Sequence, residues 1–581
     1  MTLSDLLDRF DLLLDTPNAI PQLRQFILQL AVQGRLTEQN PDDEPAEALL
    51  EEMGAEKNRL KEAGDYKYQK KMPPITEEDL TLPTPLPRGW VWVRFGALGK
   101  VTGGGTPKKS NPDYWGGAIP WVSPKDMGDT VIRQTQDYIT EKGLDDSSAK
   151  RIPESSVLIV GRSGILQRTL PVAINAVECT VNQDLKVLTP FNREMARYIQ
   201  IMLKGFQPHI LKHLIKTGTT VESLKYTDFQ LQPYPLPPLE EQKRIVETVG
   251  RLMDECDALE ATQTQMRETQ SAATVSATHA LRTAPDTDAL RTAWDRVATH
   301  FDTLTATPNA VDELRQTILQ LAVQGRLTEQ NPDDEPAEAL LEQIQMEKQR
   351  LYDAGEIRKP KTAPPIEQED GLPKVPAHWI WTRLADTIFE MKAGSSPKCP
   401  GHPADPDTWG VLRTTAVQPL KYWQHENKEL PDKVSPRKDH ETKERDLLIT
   451  RAGPRDRVGV ACSVEETRSK LMFSDKIIRC RGPLVSYLAI AINGGFPASY
   501  IDDKKSGMAE SQMNISQTNL RTTPIPLPPL AEQQRIVETV GQLMDVCDQL
   551  EERLGRSEAT GEQWAKAALV GAIDRRKVET V

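Results

Sequence analysis

The sequence of 581 residues is poor in the features that mark chemistry or a special environment. No apolar run approaches the roughly 18 residues that a membrane span needs. Met1-Thr2-Leu3-Ser4-Asp5 shows no basic-then-apolar secretion pattern. Both readings place the protein in the cytoplasm, without a membrane partner. The six cysteines, Cys179, Cys256, Cys399, Cys462, Cys480 and Cys547, form no Cys-x-x-Cys pair. Neither a zinc site nor a disulfide framework is expected, and they read as ordinary thiols. Eight histidines fall at no metal-ligand spacing. A phosphate loop, an HExxH helix, a GxSxG elbow and the Asn/Asp-Pro-Pro-Tyr/Phe motif of amino-methyltransferases are all missing. The chain therefore offers no catalytic residue and no metal ligand. It also lacks a basic balance: the net charge of −12, taken whole, argues against nucleic-acid binding.

What is present is a repeat, the first feature to look for in a long chain. Ile27 to Glu51 is identical at all 25 positions to Ile318 to Glu342, at an offset of 291 residues. Pro235 to Glu260 (PLPPLEEQKRIVETVGRLMDECDALE) matches Pro526 to Glu551 (PLPPLAEQQRIVETVGQLMDVCDQLE) at 21 of 26 positions, at the same offset. Between these blocks the halves diverge, keeping only framing features. Gly89-Trp90-Val91-Trp92 is echoed by His378-Trp379-Ile380-Trp381, and Gly218 and Gly507 precede the closing prolines. Charge divides in the same way. Residues 89–235 hold 18 basic and 13 acidic side chains, and residues 377–527 hold 22 and 18. The acidity belongs to the repeated blocks, and the variable segments are mildly basic, where phosphate contacts could form.

The repeated blocks read as helices. Glu240 and Glu241 suit a helix first turn. Ile245, Val249, Leu252, Cys256 and Leu259 then follow at spacings of 4, 3, 4 and 3, a heptad seam. Ile536, Val540, Leu543, Cys547 and Leu550 repeat it. Each seam wants a partner helix, and the other copy is the obvious one. No proline interrupts Glu240 to Ala284, so a continuous helix there would run roughly 65 Å at about 1.5 Å per residue. Beyond Leu259 the seam thins to Ala273 and Ala277. Upstream, Leu23, Ile27, Leu30 and Ala31 share a helix face that stops at Gly34. Asn40 to Pro45 is a loop, Ala46 to Leu60 is helical, and Pro73-Pro74 with the prolines from Pro83 to Pro87 leads in extended form to the first variable segment.

The variable segments read as small α/β domains, with β-like runs at Val157–Val160 and Leu185–Leu188 and a helix-like run at Arg193–Lys204. Gly103-Gly104-Gly105-Thr106-Pro107-Lys108-Lys109 lacks phosphate-loop spacing and reads as a flexible basic loop meeting a DNA backbone. Tyr114, Trp115 and Trp121 read as core rather than as base-stacking groups. Gly161-Arg162-Ser163-Gly164, close to Arg168, is a second basic turn, and Arg451-Ala452-Gly453-Pro454-Arg455-Asp456-Arg457 is a third. Arginine in such turns can pair bidentately with guanine.

The block PLPPLEEQKRIVETVGRLMDECDALE and its copy resemble the conserved region of type I restriction enzyme specificity subunits, and the alternation of conserved and variable regions is that family's layout. Gly103 to Met127 (GGGTPKKSNPDYWGGAIPWVSPKDM), GRSGI at Gly161 and NQDLKVL at Asn182 are similar to a common class of its recognition domains. Lys392 to Lys398 only loosely echoes the first glycine-rich loop, and Trp409-Gly410-Val411-Leu412-Arg413 replaces the WGGAIPWV run. The resemblance implies an α+β chain: two α/β target-recognition domains joined by two long antiparallel coiled-coil helical conserved regions, with an internal pseudo-twofold. The expected division is an N-terminal helical conserved segment (1–88), recognition domain 1 (89–235), a central conserved helical region (236–376), recognition domain 2 (377–527) and a C-terminal conserved helix (528–581). The implied function is reading a bipartite asymmetric site on double-stranded DNA. The chain would also scaffold two methyltransferase subunits and the restriction (motor-nuclease) subunits. It would itself be non-catalytic and free of cofactor, with S-adenosylmethionine, ATP and magnesium left to the partners. The expected DNA contacts are Lys108, Lys109, Lys125, Arg162 and Arg168 for one half-site. Lys398, Arg413, Arg451, Arg455 and Arg457 are those for the other. The rival readings are a fused nuclease or methyltransferase, and a structural protein-binding adaptor without DNA recognition.

Overall fold

Apolar spacing starts the described chain as a helix. In α1 (Ala19–Val32), Ile20, Leu23, Phe26, Ile27 and Leu30 fall on one buried face. The helix stops at Gly34, whose φ of +64° suits glycine; a Cβ there would lie 2.4 Å from the Pro87 ring. The computed structural model describes residues 19–66, 72–80, 86–217, 221–367 and 371–574. The leader reading at Met1–Asp5, the prolines Pro83 and Pro85, and Gly218 lie outside the described residues. The chain divides into two units, Met1–Gln265 with Glu558–Val581, and Met266–Ser557.

In the first unit α2 (Ala46–Glu62) follows α1, and the backbone N–H of Ala46 donates to Gly89 O at 2.9 Å. The α/β domain beyond it opens with strand Val91–Arg94 and closes with Pro233–Leu236. These two pair antiparallel, Val91 opposite Leu236 and Arg94 opposite Pro233. The domain therefore begins and ends at one place, a two-stranded root. Its main sheet runs Gly99–Gly103, Leu185–Pro190, Val157–Val160, Val172–Asn175 and Val131–Ile132. The four residues of Val157–Val160 are all buried, as the uninterrupted apolar run requires. Helix α3 (Ala196–Gly205) packs on α1 and on the sheet, and its buried Tyr198 donates to Pro235 O at 2.8 Å, anchoring the root. α4 (Leu239–Thr283) leaves the root as one helix of 45 residues.

The second unit repeats the plan with unlike details. α5 (Thr287–Thr299), α6 (Pro308–Val323) and α7 (Ala337–Asp353) precede the second α/β domain. Its root pairs Ile380–Arg383 with Pro524–Leu527. The main sheet is antiparallel, in the order Glu390–Ala393, Ile477–Arg481, Asp446–Thr450, Ala461–Ser463. A three-stranded piece, Asn427–Glu429, Gly410–Leu412 and Leu471–Met472, lies beside it in the chain's topology. α8 (Val485–Asn493) takes the part of α3, and its Tyr487 donates to Pro526 O. α9 (Leu530–Asp574), also 45 residues, leaves the second root.

A buried carboxylate ties each root to its long helix. Glu241 and Glu532, in the first turns of α4 and α9, are each 1% exposed. Trp90 Nε1 and Gln39 Nε2 donate to Glu241 at 2.8 and 2.6 Å, and Trp379 and Gln330 donate to Glu532 at 2.7 and 2.5 Å. Arg244 pairs with Asp43 at 2.5 Å, and Arg535 with Asp334 at 2.6 Å. A carboxylate out of water is tolerated only when such donors surround it. Burial pushes the Glu241 carboxyl above its ordinary range, opposed by the Trp90 and Gln39 hydrogen bonds and the Arg244 charge. Beneath each root a buried arginine straps the proline-rich lead-in: Arg94 donates to Pro73 O and Pro74 O, and Arg383 to Pro364 O and Pro365 O.

Much of each seam is closed within its own unit. Ile245, Val249, Leu252 and Cys256 join the core that holds α1, with Leu259 packed at its margin, and Arg24 of α1 pairs with Asp257 and Glu260. Ile536 and Val540 join the core of the second unit with Leu319 and Val323 of α6. Cys547 is buried, while Leu543 and Leu550 are half-buried. The thinner stretch beyond Leu259 has its own cover: Leu281 packs with Ala293 and Val297 of α5, and Thr274 donates to Leu304 O at 2.7 Å. All six cysteines are unpaired. Burial pushes the Cys179, Cys462 and Cys480 thiols up to about 12, too high for a reactive thiolate.

Two outcomes are expected. Ile245→Ala removes a fully buried side chain and costs about 2–5 kcal/mol, measured by urea unfolding of the full chain. Glu241→Gln sets an N–H donor against the donors of Trp90 or Gln39 and costs about 1–3 kcal/mol. Because the folded Glu241 holds its proton to higher pH than the unfolded one, its contribution to stability improves as pH falls from neutral through its raised range. The Gln variant loses that gain, so its deficit is larger at pH 5 than at pH 7.

Candidate nucleic-acid interface

The basic turns singled out in the sequence are gathered by backbone pairing. In the first domain Gly105 N donates to Val181 O at 2.9 Å, and Arg162 N to Asp184 O at 3.2 Å. The turn at Asn182–Asp184 thus sits between the loop of Lys108 and Lys109 and the loop of Arg162. Asn182 N also donates to Val122 O at 2.9 Å, which brings up the Pro124–Asp126 turn carrying Lys125. Arg168 ends the short Gly164–Gln167 turn beside Arg162. The glycine run is a packing device: a Cβ on Gly104 would stand 2.0 Å from Asn182 O, and one on Gly105 2.4 Å from Ser148 C. Trp121 is core, with its indole N–H on Gly105 O at 3.0 Å, and Trp115 packs edge-on against it at 5.1 Å. The loop is therefore held from beneath rather than flexible, which corrects the sequence reading. Lys108, Lys109, Lys125, Arg162 and Arg168 are exposed.

The second domain repeats this arrangement with different residues. Ser395 N donates to Phe473 O, and Arg451 N to Lys476 O at 2.8 Å. The side-chain bond of Thr106 to Gln183 has its counterpart in Ser396 with Asp475. Arg451 holds the place of Arg162, and Lys398 that of Lys108. Lys398 is exposed and Arg451 half-buried. Among the described residues none of these seven side chains has an ion-pair partner. In the second domain a groove of about 580 Å³ is lined by Pro397, Arg413, Thr415, Lys428, Asp475 and Lys476.

The three remaining arginines are differently placed. Arg455 pairs with Asp502 at 2.7 Å and Glu510 at 3.5 Å. Arg457 donates to Gln418 Oε1 at 2.8 Å and to the carbonyls of Thr414 and Val417. Arg413 lines the groove but spends one N–H on Gly401 O at 2.5 Å. The sequence reading passed over Lys428 and Lys476. Lys476 was open to detection, since Asp475-Lys476 precedes strand Ile477–Arg481 as Gln183-Asp184 precedes Leu185–Pro190.

Comparison with known proteins decides what carries this arrangement. Residues 87–266 and 485–556 match the family described as "Type I restriction modification DNA specificity domain". The specificity subunit of the type I restriction enzyme EcoEI of Escherichia coli is 38% identical over 576 residues, covering 96% of this chain and 94% of its own. The chain belongs to the type I restriction enzyme specificity subunits. That of EcoAI, also from Escherichia coli, is 28% identical over 96% of this chain and 94% of its own. Among solved structures, the HsdS subunit from Thermoanaerobacter tengcongensis is 19% identical, covers 84% of this chain and 98% of its own, and superimposes with a TM-score of 0.38. As a specificity subunit the chain recognises DNA sequence and is not a catalytic member of its system.

Charge reversal separates the two kinds of arginine. Arg162→Glu and Arg451→Glu are expected to weaken DNA binding by the assembled complex and to reduce the salt dependence by about one ion per lost phosphate contact. Arg457→Gln is expected to lower thermal stability and leave the salt slope unchanged. Titration at several salt concentrations, with thermal melts, checks both.

Proposed function

We propose that this subunit reads a bipartite asymmetric site on double-stranded DNA, one half-site per α/β domain. The observation that supports it most is the pairing of like roots with unlike heads: Trp90–Glu241 and Trp379–Glu532 are built alike, whereas the turns that follow Arg162 and Arg451, Ser163–Gln167 and Ala452–Asp456, share only a glycine. Identical heads would read a symmetric site. Lys108, Lys109, Lys125, Arg162 and Arg168 contact one half-site. Lys398, Arg413 and Arg451 contact the other, now with Lys428 and Lys476. Arg455 and Arg457 act by holding the second loop. Phosphate contacts position the heads and base edges in the major groove supply specificity. The helices α4 and α9 set the separation of the half-sites.

The chain assembles with methyltransferase and restriction subunits, as specificity subunits do. Two methyltransferase subunits bind, one per repeat, because the duplicated blocks offer the same surface twice. S-adenosylmethionine, ATP and magnesium serve those partners. The complex works in the cytoplasm; no described helix is long and apolar enough to cross a membrane.

Mapping methylated bases in host DNA, with and without this gene and with the partner genes active, tests the proposal. Loss of one bipartite methylated motif is the expected result. An unchanged methylome sinks it and favours a protein-binding adaptor.

A further inference from the structure

Asp257 on α4 and Asp548 on α9 occupy the same repeat position, yet they are used differently. Asp257 pairs with Arg24 of α1 at 2.5 Å. Asp548 keeps the equivalent partner, Arg315 of α6, at 2.8 Å. It also takes a second one: Lys421, from the α/β domain itself. Arg315 is held in turn by Glu551 at 2.6 Å and Asp312 at 3.3 Å, so the acid belongs to a five-member network rather than to an isolated surface pair.

Lys421 is delivered to the helix by a built turn. It follows Leu420 between the two-residue strands Val417–Gln418 and Lys421–Tyr422. Leu420 has a φ of +61°, a left-handed conformation that a leucine adopts only when its surroundings impose it. They do so here: Leu420 N donates to Ala461 O at 3.1 Å, and the side chain packs against the core of the second unit.

The first domain has no such reach among the described residues. Its ion pair to the long helix is Glu194 with Lys243 at 3.1 Å, at the root. Gln534 replaces Lys243 in the second copy, so that tie cannot form there. The second domain is held at Glu532, as the first is at Glu241, and again at Asp548, sixteen residues on, about 24 Å along a helix that rises about 1.5 Å per residue.

We infer that Lys421 is a positioning residue: its pairing with Asp548 fixes the angle of the second reading head on α9 and so enforces the spacing between half-sites. The inference rests on the bipartite reading proposed above.

The test uses the full chain assembled with its methyltransferase subunits. Methyl transfer is measured on duplexes carrying the mapped half-sites with the native spacer, or with one base pair added or removed. Lys421→Glu and Asp548→Asn are expected to raise methylation of the altered spacers relative to the native one by about threefold or more, within the range of an exposed ion pair plus repulsion. Lys421→Arg should keep the wild-type ratio. Lys421→Met, which retains the stem, relaxes the ratio without charge repulsion and serves if Lys421→Glu does not assemble. If the charge-removing variants leave the spacer ratio at the wild-type value, or lower transfer equally at every spacer, the positioning role is overturned. If the wild-type complex modifies no bipartite duplex at all, it is the bipartite reading that fails.

Discussion

A carboxylate withdrawn from water at the start of a long helix constrains almost everything else in each half. Glu241 and Glu532 are tolerable only because an indole N–H and a glutamine amide, contributed by remote segments, meet them within hydrogen-bond distance. Gln39 belongs to the block after α1, Trp90 to the beginning of the head, and Glu241 to the segment after its end. Removing any one leaves the others with unmet polar groups in an apolar root. The carboxylate therefore demands three pieces of chain at once, and its position in a helix first turn adds the favourable end of the helix dipole.

This constraint divides the chain into parts that must match and parts that are free to differ. The root residues, the arginine straps to the proline carbonyls and the Tyr198 and Tyr487 anchors recur in both halves. Above the root, what recurs is backbone geometry. Gly104 and Gly394 both press against a facing carbonyl, where a Cβ would come within 2.0 Å of oxygen. Most of the side chains carried on that backbone differ between the two halves, although Lys108 and Arg162 keep counterparts in Lys398 and Arg451.

The repeat made the helical parts legible. A proline-free stretch from Glu240 to Ala284 becomes a helix from Leu239 to Thr283, and the all-apolar run at Val157–Val160 becomes a buried strand. The cover of each seam was less legible. A heptad says that a helix wants a partner, not which one, and in the first unit α1 takes that face. Arginines in the loop Arg451–Arg457 looked equivalent because their fates depend on distant residues. Asp502 and Gln418 claim two of them, and nothing in local spacing announces either. The Lys421–Asp548 tie spans 127 positions and was beyond any motif. Long-range pairing of charged groups is invisible to periodicity, which reports only which face of an element is apolar.

Each head opens and closes on adjacent strands of one small ribbon, Val91 beside Leu236 and Ile380 beside Leu527. The two cut points of a head are thus neighbours in space although about 145 residues apart in sequence. An exchange of genetic material between the codons for the tryptophan-rich opening and those for the Pro-Leu-Pro-Pro closing would carry off a whole head and return another to an unchanged socket. The donor need share only a ribbon a few residues long. The geometry of the ribbon thus makes each head a replaceable part of the chain.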